Sequence, residues 1–338
     1  MEARRGKIGC CGVLLVALLL IGVALVGLAA YGYSNVLGQI DRVDGSEQTL
    51  TPEEIEAIEN ETDSLRDGYA IVDGDGDILN GKQAELLPKG DDLVNILLIG
   101  QDRRPGEGRT RSDSMILCTI NTRKKTVVMT SFLRDLYVDI PDWNGQKYRD
   151  NRLNVCYAFG GMGMLDLALK NNFGVVVDHN IEVDFGQFED IIALFGGVEI
   201  ELTRAEADYL GGGLKEGSNF LTPKQALNYA RIRKLDSDFG RTDRQRKVLM
   251  ALLDALGEME PSRMTKLINK MLPMLTTDMS NADITNYMVN LLPVLSEAEI
   301  STQFIPAAGT YQNCYIRGMA VLVPDMDANR AILKDTLR

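Results

Sequence analysis

Arginines and aspartates lie interleaved in two widely separated stretches of the chain. The first stretch runs from Gly100 to Asp113 and the second from Tyr229 to Arg246. The planar guanidinium group of arginine can donate two parallel hydrogen bonds to a pair of phosphate oxygens. Aspartates beside such arginines are typical ligands of a divalent cation that lies next to a phosphate. The two stretches therefore predict a site for a pyrophosphate group and a metal ion.

Asp102 and Asp113 are the two carboxylates that we predict to bind the metal. Asp102 follows a continuous apolar run, Val94–Gly100, that is typical of a buried strand. Ligands of open α/β sheets bind at the carboxyl ends of strands, and Asp113 precedes the next predicted strand. Mg²⁺ needs only one or two protein carboxylates, because water and phosphate oxygens complete its shell. The alternative is that each aspartate is a solvated turn or strand-edge residue.

Nine side chains are candidates for binding the pyrophosphate, and most lie in one loop or at the ends of predicted elements. They are Arg104, Arg109, Arg111, Arg134, Arg231, Arg233, Arg241, Arg244 and Gln245. Arg134 follows the predicted strand Thr126–Ser131, whereas Arg241 and Gln245 share one face of a helix because they are four residues apart. For any single arginine, a surface salt bridge is the ordinary explanation. The recurrence of arginines at element ends favours a shared anion.

The charge of the chain is distributed unevenly. The 338 residues carry a net charge of −12, and 45% are hydrophobic, which is enough for a sizeable core. Residues 35–90 hold 14 acidic and 4 basic side chains. The part of the chain that carries the arginine clusters is therefore only mildly acidic. This balance argues against a broad nucleic-acid-binding face and favours a local anion site.

The amino-terminal region is predicted to cross a membrane. Residues 8–40 carry no charge, and Val13–Ala30 is almost wholly apolar and, with its flanks, long enough to span most of a bilayer. Arg4, Arg5 and Lys7 precede this run, so the amino terminus is expected in the cytoplasm and the bulk of the chain outside. A cleaved signal peptide is the alternative, although the apolar run is long for one.

Three cysteines lie in the expected extracytoplasmic part. Cys118, Cys156 and Cys314 do not have the spacing of metal ligands. We expect small buried side chains, and a bridge between Cys156 and Cys314 is the alternative.

The predicted elements alternate between strands and helices, which is typical of an α/β domain. The predicted strands are Val94–Gly100, Ser114–Asn121, Thr126–Ser131, Ile181–Phe185, Val198–Leu202 and Thr302–Pro306. Predicted helices begin at Thr51, Asn154, Gln187, Thr222, Asp243, Ser262 and Asp283. Asn154 is expected either to cap its helix or to contact a substrate.

These elements predict a layered α-β-α domain with a mixed central sheet, preceded by one transmembrane helix. We expect a cytoplasmic stub and anchor over residues 1–34 and an acidic linker or accessory segment over residues 35–91. The extracytoplasmic domain is expected over residues 92–338, with its motifs within 94–249.

A set of segments resembles the LytR-CpsA-Psr family of membrane-anchored cell-wall ligases. The matching segments are Asn95–Asp102, Arg111–Met115, Ser131–Pro141, Gly196–Val198, Ala226–Arg233 and Arg241–Gln245. They keep the order of the family, and the set is specific although no single segment is. Thr222 and Pro223 depart from the pattern, since a glycine commonly precedes this helix, but the departure affects a turn and not the chemistry.

The resemblance implies a phosphotransferase that moves a glycopolymer from a polyprenyl-pyrophosphate carrier onto peptidoglycan. Such a polymer is teichoic-acid-like or capsular, and the cofactor is Mg²⁺ or Mn²⁺. Asp102 and Asp113 resemble the metal ligands and, with Arg134, the catalytic residues. The residues that resemble the family's pyrophosphate ligands are Arg111, Arg134, Arg231, Arg233, Arg241 and Gln245. The expected partners are the lipid-linked donor and peptidoglycan, and no nucleic acid is expected. The expected location is the cell membrane, which the predicted transmembrane helix spans once.

Two other functions fit the same residues. A hydrolase would cleave the lipid pyrophosphate with water at the same site. A non-enzymatic regulator of the envelope would catalyse no reaction. The expected location of the domain outside the cell argues against a role in transcription.

Overall fold

The structure is a computed structural model that describes residues 40–42, 50–72, 79, 83–101, 103, 108–236, 238–257, 259–260, 263, 266–267, 270–295 and 298–337. The predicted membrane segment Val13–Ala30 and the predicted metal ligand Asp102 lie outside these residues. Within them, no helix is both long and apolar enough to cross a membrane. The membrane anchor therefore stays a prediction.

The described residues form a mixed α/β fold with a central mixed sheet, as predicted. The strands are β1 (Asp41–Arg42), β2 (Ala70–Val72), β3 (Leu93–Gln101), β4 (Ser112–Asn121), β5 (Thr126–Phe132), β6 (Tyr137–Val138), β7 (Asn151–Arg152), β8 (His179–Asp184), β9 (Val198–Leu202), β10 (Gly217–Leu221), β11 (Thr276–Thr277), β12 (Glu299–Ile305), β13 (Tyr311–Ile316) and β14 (Met319–Pro324). The helices are α1 (Pro52–Glu59), α2 (Asn154–Phe173), α3 (Phe185–Phe195), α4 (Arg204–Leu210), α5 (Pro223–Ala230), α6 (Asp238–Gly257), α7 (Asn281–Leu295) and α8 (Met326–Thr336), with a 3₁₀ helix at Leu272–Met274.

The chain divides into two compact units. The first unit comprises the described residues within 40–42, 120–127 and 181–301. In it, β1 is parallel to β11, and β11 is antiparallel to β8. Strands β9 and β10 form a separate antiparallel pair. The helices α3 to α7 belong to this unit.

Local capping explains where three helices of the first unit begin. Asp184, Thr203 and Thr222 each accept a hydrogen bond from the backbone of the third helical residue, and the side chain of that residue binds back. Such reciprocal capping satisfies two backbone donors that a helix start otherwise leaves unpaired. The predicted start of α5 at Thr222 and Pro223 is confirmed. Helix α3 ends at Phe195, and its C-cap residue Gly196 has a φ of 86°, which favours glycine.

The second unit comprises the described residues within 50–119, 128–180 and 302–337. In it, neighbouring strands follow the order β3-β4-β5-β12. The predictions for β3, β4 and β5 are confirmed, with ends that differ by one or two residues. A second sheet has the order β14-β13-β2, in which β2 pairs in parallel with β13.

Helix α2 carries much of the core of the second unit. Met164, Leu165 and Phe173 on this helix are fully buried, and the Phe173 ring lies 5.4 Å from that of Phe132 on β5. The same cluster includes residues of β3, β4 and β12. Burial of this much apolar surface fixes the strands that carry the predicted site residues.

Helix α2 begins at Asn154, as predicted, but the expectation that Asn154 caps it is wrong. The N-cap residue is Leu153, so Asn154 is the first residue of the helix and caps nothing. The helix is kinked at Gly160 and Gly161, where Gly161 has a φ of 59°. The side chain of Trp143 lies against this kink, and a Cβ at Gly160 would approach the Trp143 indole nitrogen to 2.7 Å. The glycines therefore make room for the tryptophan.

Cys118, Cys156 and Cys314 are free and buried, which confirms the expectation of small buried side chains and excludes the bridge. Burial raises the pKa of the Cys118 thiol to about 12. Because the thiolate is the reactive form, we expect iodoacetamide at neutral pH to leave all three thiols unlabelled in the native chain. Labelling should become complete in denaturant, as located by peptide mass spectrometry. Rapid native labelling of Cys118 would contradict this burial.

Candidate functional site

Arg134 and Asp113 form an ion pair in the second unit. Asp113 is the second residue of β4, and Arg134 lies two residues beyond the end of β5. The Nη1 atom of Arg134 donates to Oδ1 of Asp113 at 2.8 Å. The two side chains are 17% and 12% exposed, so the pair is shielded from water but reachable. The structure thus brings together two of the predicted site residues.

This pair lies at one end of a chain of alternating charges. The Oδ1 atom of Asp135 lies 3.5 Å from Nε of Arg134 and 3.7 Å from Nε of Arg152. Arg152, which is almost fully buried, also donates to Asp63. Buried charges persist in proteins when each has partners of opposite sign. The network therefore restrains the Arg134 guanidinium at its Nε atom as well as at Nη1.

Arg111, a predicted pyrophosphate ligand, forms an ion pair with Glu61 just after α1. The two side chains are 30% and 42% exposed. A carboxylate presents its oxygens to a guanidinium much as a phosphate does. Glu61 thus occupies the Arg111 guanidinium group, to which the phosphate would bind.

Replacing Glu61 with glutamine should therefore tighten pyrophosphate binding by about two- to fivefold, because exposed ion pairs are weak. Calorimetric titration of the full chain with inorganic pyrophosphate and Mg²⁺ measures this change. Glu59→Gln is the matched control, since Glu59 binds Arg149 instead. Equal affinities of the two variants would show that Glu61 does not compete with the anion.

In the first unit, Arg231 and Arg233 lie at the carboxyl end of α5. The helix ends at Ala230, with Arg231 as its C-cap residue, so neither arginine is confined to a helix face. Both side chains are exposed. The guanidinium carbon of Arg231 lies 4.7 Å from the centroid of the Phe185 ring, which is the geometry of a cation–π contact. These two arginines can therefore reach an anion from solvent.

Arg241 and Gln245 lie one turn apart on α6, as predicted, but the helix begins earlier than expected. It starts at Asp238 rather than Asp243. The Arg241 side chain is 2% exposed, and its Nη2 atom lies 3.2 Å from Oδ1 of Asp238. In the described part of the chain, Oε1 of Gln245 is buried and accepts no hydrogen bond. The Arg241 guanidinium and the Gln245 amide oxygen are thus polar groups inside the protein.

Arg244 on the arginine-rich helix α6 binds two carboxylates and one backbone carbonyl. It donates two hydrogen bonds to the carboxylate of Asp236, at 2.6 and 2.8 Å. It also donates to the backbone oxygen of Ile232 at 2.9 Å and to Glu206 at 3.3 Å. Burial lowers the pKa of Arg244, but the bonds to Asp236 and Glu206 outweigh it and raise the pKa above its ordinary value.

The roles of Arg244, Glu61 and Asp63 were missed from the sequence. Their partners lie far along the chain or in a loop, and no periodic pattern predicts such pairs. The only sequence signal for such pairs was that residues 35–90 are acidic and the arginine clusters are basic.

Among the described residues, the carboxylate of Asp113 is compatible with binding a metal ion. No group of three or more histidine, cysteine, aspartate or glutamate side chains in that part is placed to hold a metal. Asp113 offers a hard oxygen ligand near a predicted phosphate site, although its Oδ1 atom accepts from Arg134. Because Mg²⁺ needs only one or two protein carboxylates, Asp113 is compatible with the predicted role.

Comparison with known proteins gives a consistent set of relatives. The model of the LytR_cpsA_psr family matches residues 58–336. The polyisoprenyl-teichoic acid–peptidoglycan teichoic acid transferase TagU of Bacillus licheniformis is 37% identical over 165 residues, which are 48% of this chain and 52% of TagU. The match thus spans about half the length of the TagU relatives. The regulatory protein MsrR of Staphylococcus aureus is 28% identical over 74% of this chain and 76% of MsrR.

Solved structures share the fold. The structure described as TagT bound to LIIa-WTA is 25% identical, covers 76% of this chain and 96% of that chain, and has a TM-score of 0.56. The TagV structure from B. subtilis is 25% identical, covers 73% of this chain and 96% of that chain, and has a TM-score of 0.58.

Proposed function

Because the chain belongs to the LytR-CpsA-Psr family, we propose that it transfers a glycopolymer from a polyprenyl-pyrophosphate carrier onto peptidoglycan. The observation that carries the proposal is the shielded Arg134–Asp113 pair, since the family resemblance assigns both residues to the reaction. The name of the TagU relatives supports a teichoic-acid-like polymer. A capsular polymer would use the same chemistry.

In the proposed reaction, a hydroxyl oxygen of peptidoglycan attacks the phosphorus that bears the glycopolymer. A new O–P bond forms, the bond to the bridging oxygen breaks, and polyprenyl phosphate leaves with the electron pair. The hydroxyl proton passes to a carboxylate oxygen of Asp102 or Asp113 that does not contact the metal. Phosphoryl transfer depends mainly on positioning and charge neutralisation. The Arg134 guanidinium would stabilise the negative charge that develops on the phosphates.

The other predicted pyrophosphate ligands fall into a solvent-accessible group and a more buried group. Arg111 in the second unit, and Arg231 and Arg233 in the first, have guanidinium groups within reach of solvent. Arg241 is buried in the first unit, and Gln245 lies one turn along the same helix; the Arg241 guanidinium and the Nε2 amide of Gln245 are the groups that would donate to the anion. Asp113, with Asp102, would hold Mg²⁺ or Mn²⁺, which supplies further positive charge.

The decisive test is reconstitution with the full chain in detergent. Mg²⁺, a lipid-pyrophosphate glycan and peptidoglycan should yield covalently attached polymer. Release of free glycan phosphate without attachment would instead establish a hydrolase, and omission of the divalent cation tests the proposed cofactor.

A non-enzymatic envelope regulator is the second candidate, because MsrR is named a regulatory protein and matches about three quarters of the chain. The absence of both attachment and hydrolysis in the reconstituted system would favour this regulator.

We also propose that the chain is a single-pass membrane protein with its catalytic part outside the cell. Protease added to intact spheroplasts should then digest the carboxyl-terminal part, and protection of that part would refute this topology.

A further inference from the structure

The segment 231–236 joins α5 to α6 and carries the exposed arginines Arg231 and Arg233. It has no regular secondary structure beyond its first residue, a turn, so no ladder of backbone hydrogen bonds holds it. An exposed connection of this kind samples several conformations unless other groups restrain it. Arginines that move with it would lose conformational entropy on binding an anion.

Arg244 restrains this segment at two points. Its Nη2 atom binds the backbone oxygen of Ile232, which lies between the two exposed arginines. The same guanidinium forms paired bonds to the carboxylate of Asp236, at the far end of the segment. The Arg244 side chain is 3% exposed, and its Nη1 atom also donates to the buried Glu206 on α4 at 3.3 Å. The restraint is therefore anchored in the interior of the first unit.

A separate contact orients one of the two exposed guanidinium groups. Arg231 lies over the Phe185 ring, and Phe185 is the first residue of α3. The start of α3 is fixed because Asp184 and Gln187 cap it reciprocally, each with a bond of 2.8 Å. The backbone and one side chain of the segment are thus held by independent contacts.

We propose that Arg244, through Asp236 and the Ile232 carbonyl, is a positioning residue that holds Arg231 and Arg233 ready to bind a phosphate anion. The proposal rests on the anion-binding role of these arginines in the proposed function. It goes further because Arg244 touches no substrate and acts through the segment 231–236.

Asp236→Asn distinguishes positioning from simple electrostatics, because the two effects have opposite signs. The variant removes a negative charge near Arg231 and Arg233, which by Coulomb attraction alone would tighten anion binding. It also weakens the paired bonds to Arg244, which on our proposal loosens the segment and weakens binding. Asp236 is 42% exposed, so the variant leaves no buried cavity.

The control is Asp243→Asn on α6. Asp243 is 44% exposed, like Asp236, but it binds Arg246 and Lys247 rather than the segment. Both variants therefore remove one negative charge from a similarly exposed position of the same unit.

The experiment is calorimetric titration of the full chain in detergent with inorganic pyrophosphate and Mg²⁺. We expect Asp236→Asn to bind about tenfold more weakly than the wild type, which is the scale of a lost charged hydrogen bond. Asp243→Asn should bind with unchanged or slightly higher affinity. Hydrogen exchange of the backbone amides in 231–236 should speed up in Asp236→Asn only, whether or not the overall stability of that variant changes.

Unchanged or tighter binding by Asp236→Asn, or unchanged exchange in the segment, would overturn the proposal. Absence of pyrophosphate binding by the wild type would overturn it as well. Failure of the proposed function gives a different result: the expected pattern of pyrophosphate affinities would persist, but no polymer would be attached to peptidoglycan.

Discussion

Arg134→Ala should lower the rate of glycopolymer transfer by about a hundredfold or more, because a preorganised donor to developing negative charge contributes on this scale. The Arg134 side chain is held between Asp113 and Asp135, so its fork is oriented before a substrate arrives. The rate is measured as polymer attached to peptidoglycan per unit time with the full chain. Arg134→Lys should recover only part of the loss, since an ammonium group lacks the planar fork.

The matched control is Arg204→Ala on α4. Arg204 is 82% exposed and pairs only loosely with Asp208, at 3.8 Å. Its removal should leave the rate unchanged. A wild-type rate in Arg134→Ala would refute the assignment of Arg134 to the reaction, and equal losses in both variants would point to a general effect of charge.

Arg152→Ala should have the largest effect on stability. Arg152 is 7% exposed and pairs with Asp63 and Asp135, which is itself 10% exposed. Removing Arg152 leaves the largely buried Asp135 with Arg134 close by and takes one guanidinium from Asp63, so we expect a cost of about 3 kcal/mol in the free energy of unfolding, the lower end for a broken buried ion pair. The fluorescence of Trp143, the single tryptophan of the chain, reports unfolding of the second unit in a urea titration.

Arg149→Ala is the control for this measurement. Arg149 is 43% exposed and binds Glu59, so its loss should cost about 1 kcal/mol or less. A similar small cost for Arg152→Ala would show that water or side-chain rearrangement compensates Asp135, and that the alternating charges do not stabilise the unit.

Elements with strong local signals could be predicted from the sequence. The apolar runs of β3 and β5 and the capping residues of α5 needed no knowledge of distant contacts. The pairing of Arg134 with Asp113 was also within reach, because both residues lie where two consecutive strands begin and end.

Features that depend on distant or buried partners could not be predicted. Asp63 and Arg152 are 89 residues apart, and no periodicity relates them. Helix α6 begins at Asp238, among residues that are typical of a loop, and Asp238 pairs with Arg241. The burial of Arg241 was likewise unexpected, since arginine usually extends to the surface.

The attachment of β2 to β13 has a practical consequence for preparing this protein. Residues 70–72 cover one edge of the β13–β14 hairpin, and Asp63 accepts a hydrogen bond from Ala320 at 2.9 Å. A gene trimmed to begin near residue 92 would uncover that edge, and uncovered strand edges promote aggregation. It would also deprive Arg152 of one carboxylate. Soluble fragments intended for crystallisation should therefore retain residues 50–72.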